Sequence, residues 1–109
     1  METQMLGPNM SEKLIRDLIP YAALRQGRTL RTRVANPDEI REFAVRKLLE
    51  EAQEFSENPS LEELVDLLDV IELLRRCYVW SDDDVAVFRS QKLATRGGFD
   101  GHTILRLEK

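Results

Sequence analysis

Glu51-x-x-Glu54 and Glu63-x-x-Asp66 each set two carboxylates three residues apart, a spacing that brings both onto one side of an α-helix with Cβ atoms roughly 5–6 Å apart. The connection around Asn58-Pro59-Ser60 is short, so the two helices should run as antiparallel neighbours in which residues equidistant from the turn come level. The residue numbers of Glu54 and Glu63 have the same sum as those of Glu51 and Asp66, which makes each carboxylate of one helix level with one of the other. A helical wheel at about 100° per residue tests which way they point. Glu51 falls between Ile40 and Ala44 on the apolar face, and Glu54 at its edge beside Phe43 and Lys47. On the next helix Glu63 falls between Val70 and Leu74, and Asp66 between Val70 and Leu73. Glu50 and Glu57 turn away, while Glu62, Asp69, Glu72 and Arg76 share a separate polar face.

Carboxylates withdrawn from water repel one another and carry a desolvation cost. No lysine or arginine lies between Lys47 and Arg75 to offset it. A divalent cation would, and an all-oxygen set suits Mg²⁺, or Mn²⁺, with water and phosphate completing the shell. A di-iron centre needs Glu-x-x-His on its helices, and the single histidine, His102, sits in the tail. The competing reading is a solvated acidic face in which Ser60-x-x-Glu63 is only a capping box. Two features speak against it: Asn58-Pro59 competes for the cap, and the hairpin lacks the basic residues at i+4 that a solvated helix intersperses.

The elements that must hold these pairs are helical. Asn36, Pro37 and Glu39 form a helix start, giving a helix to about Ser56, and a third helix follows from Leu61 to about Tyr78. Ser81 with Asp82, Asp83 and Asp84 opens a fourth, which stops at Gly97-Gly98. Before them, Leu14, Ile15, Leu18 and Ile19 indicate a first helix from Lys13, with Pro20 marking a kink or a restart and Gly27 a stop. The expected fold is all-α and four-helix-bundle-like, with short extended segments near 29–34 and 102–107. Residues 1–12 read as a flexible leader and 13–109 as one domain.

At 109 residues one hydrophobic core is all the chain can build, and burial of roughly two-thirds of its unfolded surface makes a further subunit interface useful. The lone Cys77 excludes an internal disulfide and a thiolate zinc cluster, and no signal peptide or membrane span is present in the sequence. A cytoplasmic location is the expectation. A net charge of −4 argues against nucleic acid as a partner.

Glu50-Glu51-Ala52-Gln53-Glu54 followed by Glu63-Leu64-Val65-Asp66 resembles the E-E-x-x-E, E-x-x-D signature of the MazG-like, all-α nucleoside triphosphate pyrophosphohydrolases. Lys13-Leu14-Ile15-Arg16-Asp17-Leu18-Ile19-Pro20 is similar to the K-L-V-R-D-K-I-P opening of a phosphoribosyl-ATP pyrophosphohydrolase-like branch. Lys92 with Arg96-Gly97-Gly98-Phe99 resembles its closing K-x-x-x-R-G-G-F. Leu18 stands where the opening motif carries lysine, and the spacer between Glu54 and Glu63 is shorter than in many members. The resemblance implies Mg²⁺-dependent hydrolysis of a nucleoside triphosphate, or a phosphoribosyl-nucleotide, to a monophosphate and pyrophosphate. Glu51, Glu54, Glu63 and Asp66 would hold metal, Glu50 would take the proton of the attacking water, and Lys13, Arg16, Lys92 and Arg96 would bind phosphate. It also implies a homodimer or larger homo-oligomer. The alternatives are a non-catalytic helical module that binds nucleotide or protein, and a nucleic-acid-binding regulator using the basic Arg25–Arg33 segment.

Overall fold

The computed structural model describes residues 12–107; the leader expected over 1–12 lies, apart from Glu12, outside them. The chain is all-α, with α1 at Ile19–Arg25, α2 at Ile40–Glu57, α3 at Leu61–Cys77 and α4 at Asp82–Arg96. It divides into two compact units, one ending at Tyr78 and the other beginning at Val79. No strand forms among the described residues, and both 29–34 and 102–107 are irregular: a single extended segment without a ladder partner leaves its backbone groups to other acceptors.

In the first unit α2 and α3 pack against each other as the antiparallel hairpin that the carboxylate spacing requires. Their connection is Asn58-Pro59-Ser60. Asn58 closes α2 with its N–H on the Glu54 carbonyl, and Ser60 opens α3 with its Oγ accepting the Glu63 N–H at 3.1 Å. Asn58 therefore does not compete for the α3 cap as expected; its extended φ of −148° belongs to the exit from α2.

The start of α2 is built from Asn36, whose Oδ1 accepts the N–H groups of Asp38 and Glu39 at 3.0 and 3.1 Å, while Glu39 Oε2 accepts the Asn36 N–H at 3.0 Å. This reciprocal arrangement satisfies backbone donors that the first turn leaves open. Regular helix begins only at Ile40. The first helix is shorter than the apolar spacing indicates. Leu14 and Ile15 precede it, and Pro20 lies in its first turn, where the missing N–H costs nothing, so the proline restarts the helix instead of kinking it. Gly27, at φ 81°, ends α1: its N–H and that of Arg28 return to the Leu24 and Ala23 carbonyls at 3.0 and 2.9 Å, a Schellman arrangement that needs a left-handed residue.

The first unit's core is small and centres on Ala23, Phe43, Ala44 and Val70, and Glu51 is buried along with Phe43 and Ala44 on α2. Arg46 lies over the Phe43 ring at 5.1 Å and donates to the Glu12 carbonyl at 2.8 Å. That bond begins to strap the segment 12–17 across the hairpin. In the second unit Ser81 and Asp84 form a complete capping box at the start of α4.

Candidate metal centre

Glu51 is 5% exposed. Its Oε2 lies 3.3 Å from Lys47 Nζ one turn earlier on α2, and its Oε1 is buried without a hydrogen-bond partner. Glu63 Oε1, across the hairpin, is buried and unpartnered as well. An unpaired carboxylate oxygen away from water carries a penalty beyond that of an ordinary hydrogen bond, which a proton or a positive ligand would offset.

The carboxylates converge as their spacing requires. One oxygen each from Glu51, Glu63 and Asp66 lie within 4.8 Å of one another, and the same holds for Glu50, Glu51 and Glu54. Glu51 belongs to both groups and stands between two positions at which a cation could be held. Acidic groups exposed on helices are common without any ion; burial of Glu51 and the two orphaned oxygens separate this cluster from such a surface. Glu54, exposed, stands at the rim.

Glu50, expected to turn away from the apolar face, instead joins the cluster with its side chain 29% exposed. The reason is the strapped segment, which lies over that flank of α2: Lys13 Nζ is 3.3 Å from Glu50 Oε2, and Lys47 Nζ is 3.5 Å from Glu50 Oε1. Arg16 donates to Asp66 Oδ1 from Nε at 3.1 Å and from Nη2 at 2.6 Å, and Nη2 also reaches Asp69 Oδ2 at 3.0 Å. The expectation that nothing basic would neutralise the carboxylates is thus corrected. Lys47 supplies the i,i+4 partner of Glu51 that the hairpin was thought to lack, and Lys13 and Arg16 arrive from far away in the chain. Among the described residues no ion pair reaches Glu54 or Glu63.

Glu63 carries the electrostatic consequence. Burial holds its carboxyl above the ordinary carboxylate range, and the charges of Glu54, Glu51 and Asp66 push the same way. Glu72, away from the cluster, is pulled below that range by Arg75, with Arg76 adding to the effect.

Lys13, Arg16, Glu50, Glu51, Glu54, Glu63 and Asp66 are therefore brought together within the first unit. Lys92 and Arg96 lie in the second, exposed and one turn apart near the end of α4, where Gly97 caps the helix at φ 77°. Two residues that the sequence reading did not use are Lys47 and Asp69. The first was legible as the i,i+4 partner of Glu51; the second carried no signal, because its partner Arg16 is distant in sequence. No family model, curated protein or solved structure matches this chain.

Proposed function

We propose that the chain is a metal-dependent nucleotide pyrophosphohydrolase that cleaves a nucleoside triphosphate, or a phosphoribosyl-nucleotide, at its α–β phosphoanhydride. The observation that carries this reading is the buried, unpartnered Oε1 of Glu51, a residue whose carboxylate groups with those of Glu63 and Asp66. The resemblance of the three motifs gives the reaction class. An all-oxygen, mainly carboxylate set fits Mg²⁺ and Mn²⁺ better than softer metals, and the orphaned oxygens of Glu51 and Glu63 fit a cation at that position.

Bound Mg²⁺ would supply Lewis-acid charge to the phosphate oxygens and lower the pKa of the attacking water. Glu51, Glu63 and Asp66 would hold the ion, with Glu54 beside them. Glu50 accepts a proton from the water as its oxygen bonds to the α-phosphorus; the α-phosphorus–oxygen bond to the β-phosphate breaks and pyrophosphate leaves. Lys13 and Arg16 bind the phosphates, Arg16 by a planar fork suited to two oxygens. A role for Lys92 and Arg96 in phosphate binding rests on the resemblance alone. The chain works as a homo-oligomer in the cytoplasm on this reading.

Hydrolysis of a panel of natural and modified nucleoside triphosphates in ¹⁸O-labelled water with Mg²⁺ or Mn²⁺ tests it. The expected products are pyrophosphate and a monophosphate carrying the label. Orthophosphate with a nucleoside diphosphate would refute cleavage at the α–β bond, and no turnover of any nucleotide would favour the non-catalytic helical module.

A further inference from the structure

Arg16 and a metal ion have use for the same carboxylate. Two of the guanidinium's N–H groups converge on Asp66 Oδ1, at 2.6 and 3.1 Å, and Nη2 also reaches Asp69 Oδ2 at 3.0 Å. Asp66 belongs with Glu51 and Glu63 to a group whose oxygens lie within 4.8 Å of one another. The second observation is Glu51: its side chain is 6% exposed and its Oε1 has no partner, although Lys47 holds the other oxygen. A divalent cation held there would draw on Asp66 as one of its oxygen ligands. A guanidinium on the same carboxylate would then be repelled by the ion and give up its acceptor. Asp69 belongs to neither carboxylate group and is 57% exposed, so it remains as a second hold.

We infer that Arg16 is a built-in counter-ion of the metal-free centre, which gives up Asp66 to the metal and, kept close by Asp69, becomes available to the substrate phosphate only after the metal is in place. This rests on the metal site proposed above but not on the hydrolytic reaction. Arg16 is then a positioning and ordering residue: metal binds first, and phosphate second. Lys13 on Glu50 repeats the arrangement more weakly, through one contact at 3.3 Å.

The test is Mn²⁺ titration of the full chain, with free Mn²⁺ followed by electron paramagnetic resonance, for the wild type, Arg16→Gln, Arg16→Lys and Arg28→Gln. Arg28 has no ion pair among the described residues and controls for the loss of one positive charge from the chain. Arg16→Gln is expected to bind Mn²⁺ about threefold to tenfold more tightly than the wild type, as the release of a half-exposed, fork-geometry ion pair allows. Arg16→Lys, which keeps the charge but loses the fork, should fall between them, and Arg28→Gln should stay within about twofold of the wild type. In the wild type, Mg²⁺ alone should shift the Arg16 Nε–H resonance. Unchanged Mn²⁺ affinity in both Arg16 variants with an unmoved resonance would overturn the inference and leave the metal centre standing. Failure of every variant to bind Mn²⁺ would overturn both.

Discussion

At the scale of single residues the cluster is built around a mismatch between charge and partners. Lys47 and Arg16 hold one oxygen each of Glu51 and Asp66, and Lys13 and Lys47 between them hold both oxygens of Glu50, yet Glu51 and Glu63 each keep a buried oxygen with nothing to bind. Glu63 records the strain in its raised pKa. A carboxyl whose folded pKa lies above its ordinary value of 4.5 binds its proton more tightly in the folded state. Its contribution to stability is therefore fully present below that value and is lost as pH rises through the raised one. Metal-free wild type should consequently lose stability relative to Glu63→Gln between acid and neutral pH, whereas the two should converge near pH 4.5 and below. Urea midpoints in the presence of a chelator check this; a difference that does not change with pH would contradict it. The part of the site that was legible in advance is the part that obeys local periodicity: Glu51, Glu54, Glu63 and Asp66 follow from i,i+3 spacing and hairpin register. The pairing of Arg16 with Asp66 and of Lys13 with Glu50 was not, because those partners are 50 and 37 residues apart, and no short-range pattern encodes where an irregular segment crosses a hairpin.

At the scale of elements, the register of α2 against α3 depends on the three-residue connection and on how each helix is ended. Ser60 satisfies the Glu63 N–H at the head of the helix that carries two of the carboxylates. Ser60→Ala is expected to cost about 1 kcal/mol and to weaken metal binding along with stability, since fraying of that turn moves Glu63; urea denaturation and Mn²⁺ titration read the two effects. Gly27 holds φ 81° with open space where a Cβ would stand, so Gly27→Ala is penalised by backbone conformation alone, by about 1 kcal/mol, without change at the proposed metal centre. If that substitution left the urea midpoint unchanged, the Schellman ending of α1 would be wrong. Helices α2 to α4 were legible within a few residues from Asn36, the Asn58-Pro59-Ser60 turn, Ser81 and Gly97-Gly98. Helix α1 was not: the apolar spacing of Leu14, Ile15 and Leu18 is helical in period, but the chain stays irregular until Ile19. The ion pairs of Lys13 and Arg16 and the bond from Arg46 to the Glu12 carbonyl hold that segment along the hairpin.

At the scale of the whole molecule, no helix is long and apolar enough to cross a membrane among the described residues. Each unit nonetheless presents apolar side chains. Leu64, Val65, Leu68 and Ile71 follow one another along α3 at 38–52% exposure, and Val87 and Phe88 of α4 are more exposed still. Apolar stripes of this kind mark surfaces that associate, and the proposed homo-oligomer would cover them. Its thermal midpoint is expected to rise with protein concentration, as linkage to association requires; a midpoint independent of concentration, with a monomer in sedimentation, would contradict self-association. The central claim is that Glu51 and its neighbours form a metal centre that hydrolyses nucleotides. The measurement that tests it most directly is pyrophosphate release with and without Mg²⁺ for the wild type and Glu51→Gln, read beside the shift in thermal midpoint that Mg²⁺ produces in each. The wild type should release pyrophosphate only with Mg²⁺ and be stabilised by it, and Glu51→Gln should fold but show neither response. Release and Mg²⁺ stabilisation that survive in Glu51→Gln would contradict the claim.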